Sequence, residues 1–582
     1  MPSPAVDLAR ALIDEAIACG VGEVVLCPGS RSAPLAYAAL AAAEARRVRV
    51  HVRIDERSAG FLALGLAKTT RRPALVVTTS GTAVANLHPA VLEAHHACVP
   101  LVVVSADRPR ELRYSGANQT TVQPGIFGGA VRWEADIDAP TDTSDVVAIR
   151  GLVRRAYAAA APPTDRPAGG EAGPVHLNLC LREPLVPDGW PLDLPEVPPS
   201  QGPGDRAEPV PPDTDVAPPV APDADPATPS PGPAAGAGPS RTLVVLGDLV
   251  DPGTRPVVAR FAREHGYPVI AEPFGRHTAQ GTIPHGPLLL TVPGWLDDHP
   301  PERVLVVGRP TLSRAVTALL RRPGLVVEAV TDRVLVPDPA GVVSRAHPLA
   351  ALADATSWPA ADPAWSAAWA SGGARLADLV AAEPPRPGSG LAVAHTVVAG
   401  LPEGATLFLG SSNVVRDVDL GVARIPDGRT VVASRGLAGI DGCVATAAGI
   451  ALAEGSAYAL MGDLTFLHDA NALVIGPGEP RPDLTIVVVN DDGGGIFTLL
   501  EPGEPARAGA FERIFATPTA TDLTALCRAH GVAHTRVATV GDLAAAVATP
   551  PDGLRVVEIA TDRARHRADH AALRATAARL TW

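Results

Sequence analysis

Ala457-Tyr-Ala-Leu-Met461 runs directly into Gly462-Asp463-Leu464, and Leu484-Thr-Ile-Val-Val-Val489 into Asn490-Asp491-Asp492-Gly493-Gly494-Gly495. Each is a short run of apolar and β-branched residues closed by glycine and acid, the pattern of a strand buried on both faces. Strands of that kind belong to parallel sheets covered by helices, and such sheets bind ligands at the carboxyl ends of their strands. Two adjacent ends would then offer hard carboxylate oxygens beside unhindered backbone amides. That set suits Mg²⁺ bridging to a diphosphate, since Mg²⁺ takes few carboxylates and prefers phosphate oxygens. The glycines let the backbone approach an anion closely. Read alone, the same residues are more often two ordinary acidic turns.

The pattern repeats outward from this pair. Thr406–Leu409, Thr430–Ala433 and Leu554–Ile559 predict further strands around it. Toward the amino end, Glu23–Cys27, Val48–Val52, Ala74–Thr78 and Leu101–Ser105 predict a first parallel layer, with helical spacing in Val6-Leu8-Ala9-Leu12-Ile13-Ala16 and Phe61-Leu62-Gly65-Leu66. Thr242–Leu246, Val304–Val307 and Leu325–Val327 predict a middle sheet. The expected architecture is α/β, with three doubly wound parallel-sheet domains. Residues 191–240 hold 16 prolines, eight acids and one arginine, so they are expected to be an acidic linker. The expected domains are therefore 1–190, 241–382 and 383–582, with a Pro/Gly-rich patch at Glu383–Gly390 closing the middle one.

Composition narrows the function. The 582 residues carry 49 basic and 62 acidic side chains, a net −13, which argues against a general nucleic-acid binder. Lys68 is the single lysine and follows Ala67, so no Gly-Lys-Ser/Thr phosphate loop exists. The six cysteines form no CxxC pair, which points away from zinc and disulfides and toward a reducing cytoplasm. The amino end does not read as a signal peptide, and no apolar run is long enough to span a membrane. There is no GxSxG, HExxH or clean GxGxxG after a strand. His95-His96 reads as surface or packing, and Ile496-Phe497 alone reads as core. In Asp55-Glu56-Arg57, Glu56 opens an apolar helical run; a partly buried carboxyl there could share a proton with a nitrogen base, although a first-turn acid is ordinarily a dipole partner.

Taken together, these stretches resemble the thiamine-diphosphate-dependent enzymes. Within them the chain is most similar to the 2-succinyl-5-enolpyruvyl-6-hydroxy-3-cyclohexene-1-carboxylate synthase family of menaquinone biosynthesis. The resemblance rests on Cys27-Pro-Gly-Ser-Arg-Ser-Ala-Pro34, Asp55-Glu-Arg57 with Ala63-Leu-Gly-Leu-Ala-Lys68, and Thr79-Ser-Gly-Thr-Ala-Val-Ala-Asn86. It continues through Ser105-Ala-Asp-Arg-Pro109, Gly116-Ala-Asn-Gln119, Gly173–Asn178, Ser434-Arg-Gly436 with Gly439-Ile-Asp-Gly442, and Gly493-Gly-Gly-Ile-Phe497. The matches are dense in the first and third units and sparse in the middle. The proline-rich insert and Asp491, where the family usually has Asn, are departures.

The resemblance implies thiamine diphosphate with Mg²⁺ or Mn²⁺, bound between subunits of a homodimer or homotetramer. It implies 2-oxoglutarate and isochorismate as substrates, with no nucleic acid and no membrane insertion. Glu56 would contact the aminopyrimidine, and Asp463, Asp491 and the Gly493 carbonyl would hold the metal. Counting 27 residues from Asp463 gives Asn490 as the second ligand; alignment on Gly-Gly-Ile-Phe gives Asp491, which is preferred. Gly462, Ile440, Ile496 and Phe497 would touch the cofactor, and Leu500 the substrate. The substrate anions would meet Arg31, Arg108, Arg314, Arg416 and Arg435, with Ser30, Asn118, Gln119 and Ser412 as neutral donors; Arg31, Gln119, Arg416 and Arg435 join Glu56 as the implied catalytic set. Another thiamine-diphosphate 2-oxoacid decarboxylase or carboligase, and a non-catalytic relative, are the alternatives.

Overall fold

The computed structural model describes residues 3–140, 144–162, 170–190, 240–278, 281–354 and 358–582. The expected linker therefore lies outside the described residues, Ser240 apart. The strands are β1 Glu23–Leu26, β2 Arg49–Val52, β3 Ala74–Thr78, β4 Leu101–Asp107, β5 Glu134–Ile137 and β6 Pro174–Cys180; then β7 Thr242–Leu246, β8 Val269–Ala271, β9 Gly275–Arg276, β10 Arg303–Val307, β11 Val326–Val330 and β12 Val343–His347; then β13 Thr406–Leu409, β14 Thr430–Ala433, β15 Ala457–Gly462, β16 Leu484–Asn490, β17 Ala533–Val537 and β18 Leu554–Ala560. They form three sheets, as the α/β reading requires. The chain divides into two compact units, Met1–Ala63 with Arg72–Thr228, and Leu64–Arg71 with Pro229–Trp582.

The first unit holds a six-stranded parallel sheet in the order β2-β1-β3-β4-β6-β5. Alternate strand residues Val24, Leu75, Val77, Val102, Val104 and Leu177 pack on helices 4–18, 33–44 and 144–160 through Leu8, Leu12, Leu35, Ile149 and Val153. Their neighbours Val25, Val76 and Val103 are equally buried, so both faces are covered and the runs read as continuously apolar. The helix Pro4–Ala18 starts where the Ser3 hydroxyl accepts from the Val6 amide and proline fills the first turn.

The second unit holds two sheets. The middle one runs β12-β11-β10-β7-β8, all parallel. One face packs on Trp295, Trp369 and Leu376, and the other on Val258, Phe261 and Trp358. The last sheet runs β17-β18-β16-β15-β13-β14-β9; β9 is a two-residue strand from the middle region that pairs antiparallel with β14. Helices 390–400, 413–421 and 540–548 cover its core face through Val397, Val418 and Leu543.

Trp295, Trp369 and Trp582 form an edge-to-face cluster, with Trp295 and Trp369 fully buried. Trp369→Ala is expected to cost about 3–5 kcal/mol in denaturant unfolding. Val334→Ala, on a residue 71% exposed, should stay within about 0.5 kcal/mol.

Candidate active site

The strand order reverses between β1 and β3 in the first sheet and between β13 and β15 in the last. Crevices at such reversals are where doubly wound sheets take ligands. Several of the residues singled out by sequence follow strands of these two sheets. Ser30 and Arg31 follow β1, Glu56 follows β2, and Arg108 follows β4; Ser412 follows β13, Arg435 β14, Asp463 β15 and Asp491 β16.

In the first unit, Gly29 passes so close to Thr79 that a Cβ would stand 2.3 Å from the Thr79 Cβ. Beside that contact Arg108 donates to the Ser80 hydroxyl and, at 3.1 Å, to the Gln119 carbonyl. Ser80 and Gln119 exchange two more bonds, from the Ser80 hydroxyl to the Gln119 carbonyl and from the Gln119 amide to the Ser80 carbonyl. Gln119 holds a left-handed backbone, φ 56°. Arg31 donates to the Leu181 carbonyl at 2.9 Å and pairs with Glu183 at 2.8 Å. Burial, and then the nearby Arg31 charge, press the Arg108 guanidinium below its ordinary range. Two cations that repel each other at a strand end form a ready counter-charge for an anion. Ser30 and Asn118 are exposed on the flanking loops. Glu56 is half-buried as the first residue of the helix Glu56–Thr70, and Asp55 caps that helix by accepting from the Ser58 amide.

The second unit brings together Asp463 and Asp491. Asp463 is 2% exposed and accepts from the Gly493 amide at 2.9 Å. Burial, and then the Asp491 charge, push its carboxyl up to about 7. Asn490 turns elsewhere: its amide donates to Glu558 at 2.8 Å and its carbonyl accepts from the Asp492 amide. Both ends of the Asn490 side chain are thus engaged. The glycines are required by space. A Cβ on Gly493, at φ +144°, would lie 2.3 Å from the Ala516 carbonyl, and one on Gly495 1.9 Å from Asp491 Oδ2. Among the described residues no group of three or more His, Cys, Asp and Glu could hold a metal. A cation at this carboxylate pair would complete its shell with backbone, phosphate and water oxygens, which is Mg²⁺ chemistry; a divalent charge would also relieve the crowding of the two acids.

A second cation cluster lies in the same unit. Burial lowers the Arg416 guanidinium, and the charges of Arg435 and Arg314 lower it further. Arg416 donates to the carbonyl of Ser412, which holds φ +81°, a strained setting for a non-glycine residue. Arg435 is 4% exposed and packs over the Phe274 ring. Arg314 is largely exposed and lies 3.8 Å from Glu501. Ile440, Ile496, Phe497 and Leu500 are all partly exposed, so Ile496-Phe497 is not the core its composition suggests. His95 packs against Arg132 and the Ala130 carbonyl, in keeping with a packing role. All six cysteines are free.

Sequence reading missed His566, whose Nε2 lies 2.7 Å from Asp491 Oδ2, and Arg563, which donates to the Asp491 and Asp492 carbonyls. Both sit more than seventy residues downstream of the loop they steady, and no motif marks them. Groups that orient a metal-binding carboxylate typically contribute about 10–100-fold in metal affinity. His566→Leu is expected to raise the Mg²⁺ concentration for half-maximal cofactor binding by that factor, measured by calorimetry, with circular dichroism unchanged.

Residues 6–126 match the family described as thiamine pyrophosphate enzyme, N-terminal TPP binding domain, and residues 419–559 the corresponding C-terminal TPP binding domain. The 2-succinyl-5-enolpyruvyl-6-hydroxy-3-cyclohexene-1-carboxylate synthase of Kineococcus radiotolerans is 47% identical, covering 99% of this chain and 100% of that protein. The synthase of the same description from Saccharopolyspora erythraea is 45% identical, covering 98% of each. Among solved structures, benzoylformate decarboxylase from Polynucleobacter necessarius superposes with TM-score 0.63 over 97% of this chain and 99% of that one, at 19% identity, a likeness of fold alone. By its sequence over nearly its full length, the chain belongs to the 2-succinyl-5-enolpyruvyl-6-hydroxy-3-cyclohexene-1-carboxylate synthase family of thiamine pyrophosphate enzymes.

Proposed function

We propose that the protein decarboxylates 2-oxoglutarate with thiamine diphosphate and adds the succinyl unit to the isochorismate ring. The product is 2-succinyl-5-enolpyruvyl-6-hydroxy-3-cyclohexene-1-carboxylate, a step of menaquinone biosynthesis. The observations that carry this reading are a carboxylate couple and two arginine clusters, each at carboxyl ends of strands within its own unit. Both substrates are dianions, and the cofactor brings a diphosphate. A protein of net charge −13 meets such ligands only where arginines are gathered against their own repulsion.

When bound, the cofactor supplies an acidic carbon–hydrogen bond and an electron sink for the carbon that loses CO₂. The chain supplies the rest. Asp463, Asp491 and the Gly493 carbonyl hold Mg²⁺ or Mn²⁺, and Gly462 lets the backbone pass close by. Glu56 holds a proton at the aminopyrimidine and so sets its tautomer. Ile440 supports the ring system, and Ile496, Phe497 and Leu500 exclude water from the reacting carbon. Arg31, Arg108, Arg416 and Arg435 grip carboxylates through their planar forks, with Ser30, Asn118, Gln119 and Ser412 as neutral donors. Arg314, exposed at the edge of its cluster, adds long-range charge. We place the sites between subunits of a cytoplasmic homo-oligomer, with Glu56 of one subunit serving the metal-binding residues of the next. Among the described residues no helix is long and apolar enough to cross a membrane.

An enzyme acting on a smaller 2-oxoacid is the rival reading, and the arginine clusters disfavour it. Incubation with thiamine diphosphate, Mg²⁺ and 2-oxoglutarate, with and without isochorismate, is expected to give CO₂ coupled to the ring adduct. CO₂ without adduct would indicate a simple decarboxylase, and no turnover a non-catalytic relative. Glu56→Gln is expected to slow hydrogen–deuterium exchange at the cofactor's reactive carbon about 10²–10⁴-fold, read by NMR. Unchanged exchange would remove Glu56 from its role.

A further inference from the structure

The middle sheet has its own reversal of strand order, between β7 and β10. Its strand ends carry Asp248 after β7, Glu272 after β8, and Arg309-Pro-Thr311-Leu312 after β10. In a doubly wound sheet that crevice is where a ligand would bind. Here the chain's own Ser434-Arg435-Gly436 segment is held there. Arg309 donates to the Arg435 and Gly436 carbonyls. Thr311 takes the side chain: Arg435 Nε donates to the Thr311 hydroxyl and Nη2 to the Thr311 carbonyl, both at 3.0 Å. The Thr311 loop is anchored in turn by Glu272, which is 2% exposed. One Glu272 oxygen accepts from the Thr311 and Leu312 amides at 2.6 Å, and the other from the Thr311 hydroxyl at 3.2 Å.

We propose that Glu272 and Thr311 are positioning residues: the middle sheet's ligand crevice is used to aim the substrate-binding arginine Arg435. The direction of the bonds supports this. Thr311 Oγ1 gives its only proton to Glu272 and so presents a lone pair to Arg435 Nε. Glu272 therefore fixes the hydroxyl rotor as well as the loop. Two donors on one edge of the guanidinium are committed to one residue, which sets its plane, and the plane of an arginine fork determines how it meets a carboxylate. The Phe274 ring lies 5.8 Å beneath the guanidinium carbon and limits tilting. These bonds involve neither the 490–495 loop nor Glu56, and they are assigned to substrate recognition.

This inference rests on the reading of Arg435 as a substrate-binding residue, and the experiment separates the two. Steady-state kinetics of Arg435→Ala identify which carboxylate substrate that arginine grips, through a raised KM. Thr311→Val keeps the shape and the backbone carbonyl but loses the hydroxyl. It is expected to raise the KM of that same substrate about tenfold, the value of one hydrogen bond to a charged group, with kcat within about twofold. Thiamine diphosphate affinity by calorimetry should not change. Thr311→Ser should restore the KM. In the Arg435→Ala background, Thr311→Val should add nothing. Glu272→Ala should follow the same pattern more strongly, with Glu272→Gln milder because it keeps an acceptor for both amides. If Glu272→Ala does not fold, the Thr311 series decides. An equal fold-loss from Thr311→Val in both backgrounds, or a KM unmoved while Arg435→Ala raises it, overturns the positioning role alone. An inert Arg435→Ala overturns the proposal together with the reading of the site.

Discussion

Parallel strands joined by helical crossovers send all their carboxyl ends to one edge of a sheet. That constraint organises the molecule, because Ser30, Arg31, Glu56, Arg108, Ser412, Arg435, Asp463 and Asp491 all follow strands at that edge. Runs such as residues 24–26, 75–77 and 243–246, buried on both faces, leave the polar residues of their strands to the ends. The chemistry of each sheet is thereby concentrated on a single rim. Where the strand order reverses, the flanking loops part and leave room for a ligand. Glycine then determines how near the backbone can come, as at Gly29 beside Thr79 and at Gly495 beside Asp491.

Concentrating polar groups in this way gathers like charges. Asp463 and Asp491 crowd each other, and so do Arg31 with Arg108 and Arg416 with Arg435 and Arg314. Each cluster is costly in isolation and would be relieved by a ligand of opposite sign, in the proposed function a metal for the acids and substrate carboxylates for the arginines. The binding free energy of charged ligands thus offsets a repulsion built into the fold.

Much of this was legible in the sequence, because the informative signals are local. A strand closed by Gly-Asp, or by Asn-Asp-Asp-Gly-Gly-Gly, states both the fold and the position of the acids within a few residues. Several parts could not be read. β9 is two residues long, and β12 and β17 alternate with exposed positions at sheet edges, so none shows a buried run. β5 and β8 are short, and β6 was visible only as a motif, Gly173–Asn178, and not as a strand. Apolar run and site residue coincide at Ile496-Phe497, where composition suggests core and the structure leaves the pair partly exposed. The Glu272–Thr311–Arg435 chain spans 39 and then 124 residues, and nothing local announces it. The left-handed backbone of Ser412 is likewise a property of the folded chain, since serine carries no signal for it.

The strand β9 has a consequence for how the chain can be divided. It belongs by sequence to the middle region, yet it pairs with β14 and closes that side of the last sheet. A fragment beginning at the helix Gly390–Gly400 would leave β14 unpaired at Thr430 and Val431 as well, extending the open edge that could pair with other copies. The borrowed strand thus acts as a selvedge on the last sheet, and it ties the closure of that edge to the presence of the part before it.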